Sequence, residues 1–523
     1  MVAFVNNEGP RRRLFVRQVE GGRAIPLTDS LIGGNYPTWN PSGSQIYFTR
    51  RDGLYTVPAL GGQVSRALAD TTLYACSWSN SGDRLACTSR DDLGLYVTDS
   101  RGANAKRLVA AEASEPLFRA RWSPGDRFIA YIDGNQMFVS GPMIGNIAPS
   151  SIWIVPASGG SPIRLTDETH LNMSPEWTPD GSLLYVSSRR GARDIYLQKL
   201  DDSGHPSGDP MRLTTGLQVH TISVSRDGHS LAYSVLTTVA NVYSTPIPDR
   251  LSDAPPVYRP VTTGNQTVES FFVSPDGKWL AYDSNRNGNQ DIYKVALAGG
   301  EPEQLTHNGV DNFWPAWSPD GSEIAFYSTA NGNRDIFVMK ADGSDVAPVV
   351  ATPSQESHPW WSPDRLKIMY LAPDSTFMVS RASIGAKWGS PRFICERCGL
   401  LKWSPDGEWI SFQPPSGLSK RRANSGQSVQ LVDLASRGML PWPWGQTWSR
   451  DGRTIFFAAR ARDRTDEIWK VASSGGEPTR LLRFDDPARK LYNPAFSIDG
   501  SRFYFTLGSK ESDIWIMELA RDK

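Results

Sequence analysis

One tight turn recurs eleven times along this chain, and that recurrence restricts its fold more than any other feature. Its fullest setting is WSPDGSEIAFYSTANGNRDIFVMKADGSDV, from Trp317 to Val346. In Ser318-Pro319-Asp320-Gly321 the proline presets φ and the aspartate can bond its own backbone two residues on. The glycine takes the left-handed conformation at no steric cost. The product is a hairpin connection. Ile324 and Phe326 then alternate with Ala325 and Tyr327, which predicts a strand. Asn331-Gly332-Asn333 turns the chain again, and Asp335 to Met339 is rich in strand formers. Ala341-Asp342-Gly343 makes the last turn before Ala347 to Val350. The unit is four antiparallel strands, A to D, with Trp317 ending strand A.

Three turns are Ser-Pro-Asp-Gly, ending at Gly277, Gly321 and Gly407, and one is Thr-Pro-Asp-Gly, ending at Gly181. The others are degraded: NPSG at Asn40, SNSG at Ser79, SPGD at Ser123, SRDG at Ser225 and Ser449, SPDR at Ser362 and SIDG at Ser497. Spacings run from 39 to 55 residues. A twelfth, partial repeat begins at Val2 and supplies strands B, C and D with no strand A before them. At the other end, Ile514 to Met517 reads as a strand C with almost nothing after it for D.

A four-stranded sheet with one apolar face cannot bury that face alone, so neighbours must stack on it. Four strands per repeat of 40 to 45 residues is the signature of a β-propeller. The fold class expected is all-β, with almost no helix. A single ring usually holds no more than eight blades, so twelve repeats predict tandem propellers, divided six plus six or, alternatively, seven plus five. The simplest boundary gives a first propeller over 1–262 and a second over 263–523. It falls beside Pro246, Pro248, Pro255, Pro256 and Pro260, which suit a stiff connector. Trp317 and its equivalents are expected to pack between blades. The long insertion from Gly134 to Ser150 reads as a loop over a rim or as a lid.

The Trp-Ser-Pro-Asp-Gly turn followed by Asp-Ile-Tyr resembles the WD-like repeat of TolB-like propellers, and the resemblance spans essentially the whole chain. Similar arrays lie behind bacterial Ser/Thr kinase domains and membrane-bound transcriptional regulators. They also form the propellers of tricorn-like and prolyl-oligopeptidase-like proteases. The ending RFYFTLGSKESDIWIMEL, from Arg502, is most similar to the C-terminal propellers of the kinase group. The resemblance implies an extracytoplasmic, periplasmic setting for a larger bacterial parent protein.

Positive and negative side chains balance at 55 each, so no basic footprint for nucleic acid is present. No run of 18 apolar residues occurs, so the sequence predicts no membrane span. Met1 to Phe4 lacks the basic start and apolar core of a signal peptide. The absent first strand A suggests a chain cut from something longer.

Candidate chemistry is sparse. Cys76 and Cys87 flank the turn Ser79 to Gly82 symmetrically, so they face each other across a hairpin, either bridged or as a reduced buried pair. Cys395 and Cys398 form a CxxC between a strand D and the next strand A. A closed zinc site needs four ligands, and these are two, so a loop disulfide or two free thiols is expected. Asp283, Asn285, Asn287 and Gly288 imitate the start of a calcium loop, but Lys294 stands where a bidentate Glu is needed. His170, His220, His307 and His358 are placed on D-to-A connections, two in each predicted ring, with no HxH or HExxH. No metal or other cofactor is expected. The chain has no G-x-S-x-G elbow, no P-loop and no kinase HRD or DFG set. The reading is therefore a non-catalytic module for protein, peptide or glycan interaction, or for ligand sensing. Thr306-His307-Asn308 and Glu356-Ser357-His358 are its candidate contacts. The alternative is a propeller hydrolase or lyase, or the substrate-gating propeller of a serine peptidase.

Overall fold

The computed structural model describes the chain apart from residues 7–12, 30–34, 51, 112–115, 135–148, 252–255, 332, 373–374, 397, 425–426, 464, 487–489 and 520–523. Among the described residues the chain is all-β, with a single 3-10 turn at Pro124–Asp126. That turn is the degraded copy Ser-Pro-Gly-Asp. The insertion at 134–150 falls mostly outside the described residues.

Nine of the repeats form their own four-stranded antiparallel sheets, in the order A-B-C-D. The eighth is typical: Asn312–Trp317, Glu323–Ser328, Asp335–Lys340 and Ala347–Val350. Its turn is held as the sequence requires. The Ser318 hydroxyl donates to Asp320 at 2.7 Å, the amide of Glu323 donates to Ser318 Oγ at 2.9 Å, and Gly321 sits at φ 73°. Trp317 packs against the preceding blade, and its indole N–H donates to the carbonyl of Phe272 there at 3.0 Å. Trp122, Trp177, Trp361 and Trp448 make the same inter-blade bond. The repeated tryptophan thus combines apolar burial with a directional tie between sheets.

The first repeat is a three-stranded sheet of Val2–Asn6, Arg13–Arg17 and Ile25–Pro26. Repeats six and twelve depart from the expected pattern. Ser230–Pro246 and Arg502–Glu518 are 17-residue strands that run straight through the positions where a B–C hairpin was expected. They are neighbours in one sheet. The start of Ser230–Pro246 pairs with Val219–Val224, and its end pairs with Arg259–Pro260. The start of Arg502–Glu518 pairs with Lys490–Ile498. At its far end, the Leu519 amide donates to the carbonyl of His229 at 2.8 Å. Repeats six and twelve have therefore exchanged their C strands.

This exchange corrects the boundary set at 262/263. The chain forms two compact units, 1–237 with 511–523, and 238–510. Among the described residues each holds five sheets of its own and a share of the exchanged one. The proline-bearing stretch is not a free connector: Tyr258 stacks at 6.2 Å on Phe484 and meets Phe505 edge-on at 5.3 Å, inside unit 2. In unit 2 the inner strand Phe271–Val273 lies beside Lys490–Ile498 of the last blade, which closes the ring.

Candidate functional site

The A strands are the inner strands of each unit, and six of them share one irregularity. Three residues before the tryptophan, the backbone enters the left-handed region at Tyr36, Ala75, Arg119, Ser174, Trp314 and His358, with φ between 50° and 57°. The pairing register slips at the same six places. These are β-bulges, which re-aim a side chain and free a backbone donor. The freed N–H reaches the preceding blade. The Ala75 amide donates to Thr49 Oγ1 at 2.9 Å, and the Trp314 amide to Ser270 Oγ at 2.9 Å. No sequence signal marks these positions except their constant distance from the tryptophan, because Tyr, Ala, Arg, Ser, Trp and His share no backbone preference.

In unit 2 the bulges build an aromatic and acidic lining. Asp283 is fully buried and accepts from the amides of Glu269 and Ser270, at 2.7 and 3.0 Å, from Gln290 Nε2 at 3.1 Å and from the Ser270 hydroxyl. Burial raises its pKa, against the lowering effect of these bonds. With its carboxylate so committed, it does not serve as the first ligand of a calcium loop. Trp314 lies 4.3 Å from the His358 ring, and Tyr327 lies 5.8 Å from it. Burial, with Arg334 nearby, pushes the His358 pKa down to about 3. Phe272 and Trp360, from repeats seven and nine, meet at 4.9 Å. Lys402, from repeat ten, places its ammonium 4.5 Å from the Trp360 ring and 5.6 Å from Phe272. Burial lowers this lysine to about 7. Repeats seven, nine and ten can meet in this way only near the ring axis.

In unit 1 the corresponding lining is cationic. Arg119 and Arg121 come from repeat four, Arg193 from repeat five and His220 from repeat six. Arg121 is paired with Glu176 at 2.8 Å. Arg193 donates to the carbonyls of Val219 and Gln218 at 3.1 and 3.3 Å. Burial, with Arg193 and Arg119 nearby, pushes the His220 pKa down to about 3.

The four histidines singled out from sequence do not share one kind of position. His220 and His358 lie within the inner strands Val219–Val224 and Ser357–Trp361, not on connections, because the bulged A strand begins earlier than its alternation suggests. His170 and His307 are on connections. His170 bonds Asp167 at 2.7 Å, and His307 is exposed beside exposed Asn308. Among the candidate contacts, Thr306, Glu356, Ser357 and His358 are buried. No group of three or more His, Cys, Asp or Glu suited to a metal occurs among the described residues. The sulfurs of Cys76 and Cys87 are bonded, with Cα atoms 4.1 Å apart, as are those of Cys395 and Cys398, at 6.1 Å. No helix among the described residues is long and apolar enough to cross a membrane.

Residues 259–421 match the family described as the TolB beta propeller domain. The chain is 28% identical over 141 residues to an uncharacterized protein of Agrobacterium fabrum, covering 26% of this chain and 44% of that protein. It is 26% identical over 206 residues to the uncharacterized peptidase YuxL of Bacillus subtilis, covering 39% of this chain and 26% of that protein. The chain thus spans less than half the length of these curated relatives. Among solved structures, a putative TolB from Agrobacterium tumefaciens aligns at 20% identity with a TM-score of 0.42, covering 52% of this chain and 99% of that one. The tricorn protease aligns at 12% identity with a TM-score of 0.33, covering 91% and 61%. Among the described residues the chain is thus an all-β protein of four-stranded antiparallel sheets, whose residues 259–421 match the TolB beta propeller domain.

Proposed function

We propose that the chain is a non-catalytic binding module that takes a protein, peptide or glycan on the D–A connections of unit 2. The supporting observation is a contrast between the two ends of its blades. The A–B turns repeat one set of bonds: the Ser hydroxyl onto the Asp of the same turn recurs at Ser274, Ser318, Ser362, Ser404 and Ser449. The D–A connections differ from blade to blade. After repeat seven, Asn312 Nδ2 donates to Asn308 Oδ1 at 2.8 Å, whereas after repeat eight the Thr352 hydroxyl donates to Glu356. Loops that vary on a standardised frame are the usual carriers of recognition. His307 and Asn308 are the exposed residues there that a ligand meets first. Affinity selection from a random peptide library and a glycan array tests this. Ligands selected by the wild-type chain should lose at least tenfold with His307→Ala plus Asn308→Ala. They should keep their affinity with Lys278→Ala on the A–B end. Equal loss from both ends refutes the placement.

A second reading is favoured by the identity to the peptidase YuxL: a propeller that gates substrate for a hydrolase domain outside the matched region. Peptide turnover by the full-length gene product, abolished by removing such a domain, supports that reading over sensing. An appended kinase domain with a membrane anchor supports sensing and the extracytoplasmic placement.

A further inference from the structure

Arg119 differs from every other cation in the inner lining of unit 1. Arg121 has Glu176, and Arg193 has two backbone carbonyls. Among the described residues, Arg119 makes no ion pair and no side-chain hydrogen bond, although it stands on a bulge at φ 55°. A non-glycine residue in this region is strained and persists where the surroundings impose it. The inner strand Phe118–Trp122 carries Arg119 between the buried residues Phe118 and Ala120. Two long-range relations locate it near the axis. Tyr36, two repeats back, and His220, two repeats on, both fall within its electrostatic reach. Residues from repeats two, four and six converge only around the axis of the ring.

The local field is positive. Burial lowers the Arg119 pKa to about 10, and the neighbouring Arg121 adds to the lowering. At neutral pH the group is still a cation. Glu176 lies nearby, but Arg121 already holds it at 2.8 Å. A planar guanidinium offers five donors in a fork that fits two oxygens of a carboxylate or phosphate. A crowded cation with no bound counter-charge lacks the interaction that would offset its desolvation. An incoming oxyanion provides that interaction and relieves the Arg119–Arg121 repulsion at the same time.

We propose that the inner lining of unit 1 is an oxyanion-binding site, in which the Arg119 guanidinium takes a carboxylate or phosphate group. This site is separate from the D–A connections of unit 2, and either can fail without the other.

Isothermal titration of the whole chain at low ionic strength tests it, with inorganic phosphate and acetate as separate probes to distinguish the two oxyanion classes. Wild-type protein should bind at least one of them. Arg119→Asn removes the charge with a residue that tolerates the left-handed region, and should weaken binding at least tenfold. Arg119→Lys keeps a point charge without the fork, and should weaken it severalfold. Arg101→Gln, an exposed cation elsewhere on unit 1, should leave binding unchanged. Circular dichroism confirms that each variant is folded. Binding of neither anion by wild-type protein overturns the proposal, as does equal binding by Arg119→Asn and wild-type.

Discussion

The two units use the same repeat and close it differently. In unit 2 the last blade is packed on both sides. Phe503 and Phe505 join the core shared with Phe456, Ile468 and Phe484 on one side. Tyr504 and Val242 join Phe271, Tyr282 and Tyr293 on the other. In unit 1, among the described residues, the corresponding blade joins one core, where Ile222 and Leu231, with Met517 and Leu519, meet repeat five. The rest of its C strand is open: Ile514, Trp515 and Ile516 are 39%, 55% and 39% exposed. The first sheet of that unit has three strands among the described residues. One strand, Arg502–Glu518, therefore passes from a fully packed setting to an open one along its own length. The packing of a strand in this chain therefore differs with the neighbours it meets.

The most forceful way to break this comparison is to truncate the same strand in each setting. Phe505→Ala removes a ring with no exposure, 5.0 Å from Phe484. It should cost unit 2 about 3–5 kcal/mol. Trp515→Ala, ten residues on, should cost about 0.5 kcal/mol or less. Calorimetry that resolves two transitions gives both values. Comparable losses would mean that unit 1 is closed as tightly as unit 2.

The Cys76–Cys87 bond lies wholly in unit 1, across the turn of the third repeat. By chain entropy it should contribute roughly 3 kcal/mol to that unit. Reduction should therefore lower the unit 1 transition more than the unit 2 transition, where Cys395–Cys398 closes a shorter loop. Thiol counting on denatured, unreduced protein from an oxidising compartment should find no free thiols. Four free thiols would show that neither bond forms.

Much of this architecture is legible in the residues. The turn, the four-strand period and the bridging tryptophan follow from Ser-Pro-Asp-Gly and its spacing. The strand exchange is only half legible. Between Tyr233 and Val242 the chain has no Gly, Pro or Asn-Gly, so it offers no hairpin, and it forms none. Gly508 misleads in the other strand. It suggests a turn, yet a Cβ there would lie 2.9 Å from the Val239 carbonyl and 3.0 Å from the Ala240 side chain. That glycine permits close approach between strands. The bulges and the linings they create are not legible, because the bulged position accepts six different residue types.

A pH series sharpens the comparison. His220 in unit 1 and His358 in unit 2 both have pKa values depressed to about 3 by burial. Each contributes stability that is present above the unfolded value near 6.5 and is lost as pH falls toward 3. Unit 2 carries an opposing group. Burial, together with Asp335, raises Glu356 to about 7. Its folded value exceeds the unfolded 4.5, so its contribution is full below 4.5 and is lost as pH rises through 7. Glu356→Gln should therefore stabilise unit 2 by about 1–3 kcal/mol at pH 8, and by little at pH 4. Denaturant titration at both values checks this, and a gain independent of pH would remove the carboxyl from the account.

Hydrogen exchange reads the same asymmetry without mutation. Amides from Val2 to Thr28, in the three-stranded first sheet, should exchange about tenfold faster than their equivalents from Ile324 to Val350. Equal protection would mean that unit 1 closes as firmly as unit 2.

The smallest effect tests the seam directly. Two turns replace proline with arginine, Ser225-Arg226-Asp227-Gly228 and Ser449-Arg450-Asp451-Gly452. Each arginine reaches past one blade to the next. Arg226 donates to the carbonyl of Pro41, and Arg450 donates to that of Pro275 at 3.1 Å. In unit 2 the blade passed over has its own turn, and Arg450 also lies against Gly500 of it. In unit 1 the blade passed over is the first sheet, which has no A–B turn among the described residues. Arg226 thus passes over a sheet with no A–B turn among the described residues, whereas Arg450 passes over one whose turn it also touches. A typical hydrogen bond contributes about 0.5–1.5 kcal/mol net, and competition from water at an exposed site keeps it at the low end. Arg226→Ala should cost unit 1 most of that and speed exchange over Val2 to Thr28. Arg450→Ala should cost unit 2 only a few tenths, with exchange in its last blade unchanged. The reverse ranking would show that the first sheet is held by contacts other than the arginine bridge.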